Sequence, residues 1–99
     1  MKLKDSSLFR QQCYVDGEWI GAPGGAALAV TNPATGARIG TVPVLGAAET
    51  EQAVAAAHRA FPAWAAKTAK ERGALLRRWF ELIVANADDI GTLMTAEQG

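Results

Sequence analysis

"TAKERGALLRRWFELIVA", residues 68–85, is the stretch on which the fold turns. Its first four residues form a capping box, with Thr68 at the N-cap position and Glu71 placed to reach back to the cap's backbone. The residues after it have the period of a helix. At about 100° per residue, Leu75, Leu76, Trp79, Phe80, Ile83 and Val84 cover about half of the circumference, whereas a helix lying on a single core carries a stripe of about 100°. Two large aromatics lie within that broad face. It predicts contact with more than the short strands and alanine-rich helix that the rest of the chain supplies.

Upstream, "AAETEQAVAAAHRA" (47–60) predicts a first helix with acids in its opening turns, where the positive end of the helix dipole favours them. Val54, His58 and Phe61 fall at i, i+4 and i+7 as a one-sided stripe, and Pro62 is expected to end the helix. Downstream, a last helix is expected from Ala87 to Gln98, with Gly99 in the C′ position.

The first half of the chain reads as strands and turns. In "QQCYVDGEWIGA" (11–22), Asp16-Gly17 is a two-residue hairpin signal, because a type I′ turn needs positive φ at both centres. Closing the chain there pairs Val15 with Glu18, Tyr14 with Trp19, and Cys13 with Ile20. Tyr14 and Trp19 then form a cross-strand aromatic pair, and Cys13 lies on the opposite face. "GAPGG" (21–25) is a loop, "ALAV" (27–30) a strand, and "TNPATG" (31–36) a turn with Gly36 in a left-handed position. "ARIGTVPVL" (37–45) is the next strand, where Pro43 implies an edge position or an early end. Strands followed by helices make the chain α+β.

Ninety-nine residues make one domain at most, or a piece of a larger one. Ten Lys+Arg balance ten Asp+Glu. No net field draws in nucleic acid or an anionic bilayer, and no basic stripe is present. Almost half of the residues are apolar, which excludes disorder, but much of that half is alanine. A compact fold of this length hides roughly 60–65% of its unfolded surface. The single cysteine cannot form an internal disulfide and fits a reducing cytoplasm. "MKLKDSSLFRQQ" has no apolar run after its lysines, which argues against a signal peptide, and nowhere do about 18 apolar residues run together.

Candidate chemistry is sparse. A reactive thiol needs a helix N-terminus, a cation or a paired histidine, and a strand flanked by glutamines offers Cys13 none of these. His58 is the only histidine and cannot anchor a metal alone; a partly buried structural role is expected for it. There is no G-x-G-x-x-G and no G-x-x-x-x-G-K. Glu49, Glu51, Asp88 and Asp89 lie near predicted helix N-termini, where the dipole accounts for them. Arg72, Arg77 and Arg78 read as a solvated or salt-bridged face. These residues make no self-sufficient active site.

The order of motifs nevertheless resembles a known family. "LFRQQCYVDGEWIGA", "VTNPATGARIGTVP", "AVAAAHRAFPAWAAKTAKERGALLRRWFELI" and "LMTAEQG" are similar, in that order, to the N-terminus of an aldehyde dehydrogenase. "NPATG", "AFPAW" and "ERGALLRRW" resemble the superfamily generally. The opening "LFRQQ" with "YVDGEW" resembles its succinate-semialdehyde dehydrogenase branch, of the NADP-preferring bacterial type. The likeness runs from about Lys4 to Gly99.

That resemblance implies an α/β fold in which residues 1–99 are the N-terminal part of the cofactor-binding domain, with strands within about 12–45 and helices within about 47–98 flanking a Rossmann-like core. It implies an oxidoreductase that converts succinate semialdehyde to succinate with NADP or NAD, through a cysteine thiohemiacetal and a glutamate base. Those groups lie beyond this stretch in the family, Cys13 does not match the nucleophile's motif, and the 99 residues alone are expected to be inactive. Implied partners are the remainder of the same polypeptide, a small aldehyde and further subunits in a dimer or tetramer, with no nucleic acid and no membrane. Some members hold a structural monovalent cation at positions matching Thr31 and Glu97. Glutarate semialdehyde, one methylene longer, is the alternative substrate. A truncated, non-catalytic α+β interaction domain is the alternative of another class.

Overall fold

The computed structural model describes all residues from Met1 to Gly99. An irregular N-terminal segment with one 3-10 turn (Ser6–Leu8) leads into strands β1 (Cys13–Val15) and β2 (Glu18–Ile20). A second 3-10 turn (Pro23–Gly25) precedes β3 (Ala27–Thr31) and β4 (Arg38–Pro43), and helices α1 (Ala47–Ala66), α2 (Ala69–Ala85) and α3 (Ala87–Gln98) complete the chain. The strands form two separate antiparallel hairpins, β1–β2 and β3–β4. The α+β expectation therefore holds within this chain.

The hairpin signals act as their chemistry dictates. Asp16 (φ 51°) and Gly17 (φ 79°) both adopt the left-handed region, and β1–β2 pairs Cys13 with Ile20, Tyr14 with Trp19 and Val15 with Glu18. The Tyr14 and Trp19 rings sit 5.2 Å apart at 56°. Gly36 takes φ 73° at the end of the β3–β4 turn, and Pro43 is the last residue of β4.

Capping sets the helix boundaries. Thr68 Oγ1 accepts the Glu71 N–H at 3.2 Å, and Glu71 Oε2 accepts the Thr68 N–H at 2.8 Å, completing the predicted box. Asn86 both ends α2 and begins α3: its N–H donates to the Leu82 and Ile83 carbonyls, and its side-chain amide donates to Leu82 at 2.8 Å. Gly99 (φ 80°) closes α3 as expected, donating its N–H to Thr95 at 2.9 Å.

Pro62 does not end α1, which continues to Ala66. Proline removes one N–H, leaving the carbonyl of His58 without its helical partner. His58 lies on an exposed stretch, so water can satisfy that carbonyl. Arg72 closes the helix instead, donating to the carbonyls of Ala65 and Lys67, where a cation suits the negative helix end.

The expected inward stripe of α1 is also reversed. Val54, His58 and Phe61 are exposed, and His58 is not the half-buried structural residue expected. The helix turns Ala53, Ala56, Ala57 and Ala60 toward Tyr14, Val15, Asp16 and Gly17 of the first hairpin. These alanines and the hairpin line a shared pocket of about 330 Å³, and alanine buries little area. Arg59 and Asp16 add an exposed ion pair at 3.4 Å.

Only Ala56 (9% exposed) and Asp89 (5%) are buried. Trp79 is 63% exposed and Phe80 52%, and Leu75, Leu76, Ile83 and Val84 are exposed with them. The radius of gyration is 16.6 Å, against about 13 Å for a compact chain of this length. The accessible surface is 7516 Å², against roughly 5,400 Å² for a compact monomer of this mass. The 60–65% burial expected of a compact fold is not reached, because the elements barely cover one another. The helices carry an apolar surface for which this chain has no counterpart.

The N-terminal segment crosses β4 at Gly40. A Cβ there would lie 2.7 Å from both Phe9 Cζ and Gln11 Oε1, and Gln11 Oε1 accepts the Thr41 N–H at 2.9 Å. Gly73, in α2, faces open space. Gly40→Ala is expected to break the Gln11–Thr41 bond and cost about 1 kcal/mol, read as a lowered urea midpoint. Gly73→Ala is expected to favour α2 by about 1 kcal/mol, read as a gain in far-ultraviolet helical circular dichroism.

Candidate functional site

An open cleft of about 830 Å³ lies between α3 and the β3–β4 hairpin. Ala87, Asp88, Gly91, Thr92, Thr95 and Ala96 form one wall, Asn32, Thr35, Ala37, Arg38 and Ile39 the other, and Met1 closes an edge. Asn32 shapes the turn: its Oδ1 accepts the Ala34 N–H at 2.9 Å, and its carbonyl accepts the Gly36 N–H at 2.7 Å. The end of α3 abuts the same turn, since a Cβ on Gly99 would lie 3.0 Å from Pro33 Cγ.

Thr31 and Glu97 do not line the cleft themselves, although each adjoins a residue that does, Asn32 and Ala96. Thr31 ends β3 at a register irregularity opposite Arg38, and Glu97 lies in the last turn of α3; both are exposed. The elements carrying them therefore converge at one end of the cleft. No group of three His, Cys, Asp or Glu side chains comes together anywhere in the chain.

Cys13 is half-buried in β1, facing Ile20 across the hairpin. His58 is exposed on α1, and neither side chain takes part in a hydrogen bond or ion pair. A thiol so placed has no cation or helix N-terminus to activate it. Its surroundings fit packing.

The three helix N-termini do not fit a dinucleotide phosphate. Glu49, Glu71 and the Asp88–Asp89 pair occupy their first turns and would repel an anion. Both sheets are antiparallel hairpins, with no parallel strand leading into a helix through a glycine-rich turn. No step involving the cofactor is assigned to these residues.

One arrangement has no counterpart in the sequence reading. Asp89 does more than face a helix dipole: its two carboxylate oxygens accept the backbone N–H groups of Lys4 and Asp5, each at 2.8 Å. Next to it, Lys4 Nζ meets Asp88 Oδ2 at 2.7 Å. The partners lie 84 or 85 residues apart, and no local pattern signals such a pairing. Asp5 in turn caps the first 3-10 turn, accepting both the N–H and the hydroxyl of Ser7, and these bonds hold its carboxyl below the ordinary value.

The profile of the aldehyde dehydrogenase family matches residues 19–99. This chain belongs to the aldehyde dehydrogenase family. It is 62% identical over its whole length to a glutarate-semialdehyde dehydrogenase of Pseudomonas putida, of which it covers 21%. It is 57% identical over its whole length to the NADP(+) succinate-semialdehyde dehydrogenase of Escherichia coli, of which it covers 20%. Among solved structures, a succinate-semialdehyde dehydrogenase from Burkholderia pseudomallei superimposes with a TM-score of 0.96 at 52% identity, covering all of this chain and 20% of that one. The chain thus spans about a fifth of the length of these aldehyde dehydrogenases, and its α/β architecture is that of their N-terminal region.

The Lys4–Asp88 contact sets a pH dependence. The hydrogen bond from Lys4, then its charge, hold Asp88 below its ordinary 3.8, and the same contact raises Lys4 above 10.5. A depressed carboxyl stabilises the fold above its unfolded value and loses that contribution as pH falls through the lower folded value. A raised ammonium stabilises below its unfolded value and loses that contribution as pH rises through the higher folded value. The contact is expected to hold through neutral pH and to release at both extremes, as read by NMR titration of the Lys4 and Asp88 side chains.

Proposed function

We propose that the protein carrying this chain oxidises succinate semialdehyde to succinate with NADP or NAD as hydride acceptor. The family membership supports the general reaction, and the likeness to semialdehyde dehydrogenases across every residue supports the substrate class. The observation that carries the reading is the pairing of that likeness with an almost coreless fold. The apolar face of α2 has the character of a layer built to lie against a larger body. In this reading residues 1–99 are the outer part of the cofactor-binding domain, and their partner is the rest of the polypeptide.

The residues of this chain would then position and support, and the reacting groups would lie outside it. Cys13 lacks the surroundings of a nucleophile, so the isolated 99 residues turn over no aldehyde. Thr31 and Glu97 contribute to a monovalent cation site that ties the β3–β4 turn to the end of α3. The whole enzyme works as a homo-oligomer in the cytoplasm, where a single unpaired cysteine is at home.

A second substrate, glutarate semialdehyde, is favoured by the 62% identity to the Pseudomonas putida enzyme. One methylene in an apolar pocket discriminates by roughly 1–3 kcal/mol. Steady-state kcat/KM of the complete encoded polypeptide should therefore favour succinate semialdehyde by about tenfold or more over glutarate semialdehyde. The opposite ratio would assign the five-carbon substrate, and no oxidation of either with NADP or NAD would remove both readings.

A further inference from the structure

The N-terminal segment joins parts of the fold that otherwise scarcely meet. At one end, the carboxylate of Asp89, a residue of α3 that is 5% exposed, accepts the Lys4 and Asp5 N–H groups at 2.8 Å. At the other end, Phe9 lies against Gly40 and Gln11 Oε1 accepts the Thr41 N–H at 2.9 Å, both on β4. Between these anchors the Arg10 guanidinium sits 4.8 Å from the centre of the Trp19 ring on β2. One short stretch thus touches α3 and both hairpins.

We propose that residues 3–11 are a strap that holds α3 against the β3–β4 hairpin, and that Asp89 is its releasable clasp. The two bonds at Asp89 are charge-assisted and shielded from water, so they outweigh the exposed Lys4–Asp88 pair, which salt screens. No side chain of the strap itself is fully buried. Loss of the clasp therefore frees the α3 end of the strap without opening a core, while Gln11 keeps its other end on β4, and it uncovers the Met1 edge of the cleft between α3 and the β3–β4 hairpin. The device is independent of the reaction proposed above.

Hydrogen–deuterium exchange on the complete encoded polypeptide tests this. Asp89→Asn exchanges one acceptor for a donor that opposes an N–H, and Asp89→Ala removes both acceptors. Amides of residues 3–11 are expected to exchange at least about tenfold faster in Asp89→Asn and faster again in Asp89→Ala, with the amides of α2 unchanged. Asp88→Asn, or added salt, is expected to change the strap's exchange by less than about threefold. Unaltered strap exchange in both Asp89 variants would overturn the proposal. So would equal acceleration in α2, which would make Asp89 a determinant of the whole fold, or release of the strap by Asp88→Asn alone. Should Asp89→Ala fail to fold, Asp89→Asn still decides.

Discussion

The constraint that governs this chain is the mismatch between the apolar surface it displays and the apolar surface it can cover. α2 presents leucine, isoleucine, valine, tryptophan and phenylalanine over half of its girth, yet the element it meets most is α3, and that contact is slight. Hydrophobic stabilisation follows buried area, and alanine contributes little of it. The excess over a compact monomer's surface, roughly 2,100 Å², is of the size buried in extensive protein–protein interfaces. Each element is well made locally, and the tertiary structure is thin.

That division explains which interactions hold the chain in shape. Turns, capping boxes and backbone ladders are short-range and survive without a core. Long-range order is left to a few polar contacts, of which the carboxylate of Asp89 is the best shielded. α1 shows the same economy on a smaller scale: its alanines approach the first hairpin, while Val54 and Phe61 face outward with the aromatic side of α2 also uncovered. Both helices keep their bulky residues for something other than each other.

The sequence was most legible where a single residue type answers a local demand. Asp16-Gly17 meets the need for two positive φ angles, Thr68 and Glu71 exchange hydrogen bonds across one turn, and Gly99 closes a helix in the left-handed region. It misled where the environment decides. Pro62 usually ends a helix in a dry interior, but here the orphaned carbonyl is in reach of water. The stripe of Val54, His58 and Phe61 correctly marks an apolar face, yet periodicity cannot say which neighbour that face is for. The clasp was out of reach altogether, because Lys4, Asp5 and Asp89 follow no spacing rule across the length of the chain. Of the candidate site, Thr31 and Glu97 came from family likeness, and no local pattern around either residue suggests a ligand.

Asn86 serves as the last cap of one helix and the first of the next, so α2 and α3 share an elbow with no spacer. A linker of several flexible residues would absorb any twist between two such rods. This joint has nothing to absorb it with. Asp89 lies within one turn of that joint, so the residue that ends the aromatic helix also places the carboxylate that holds the chain's beginning.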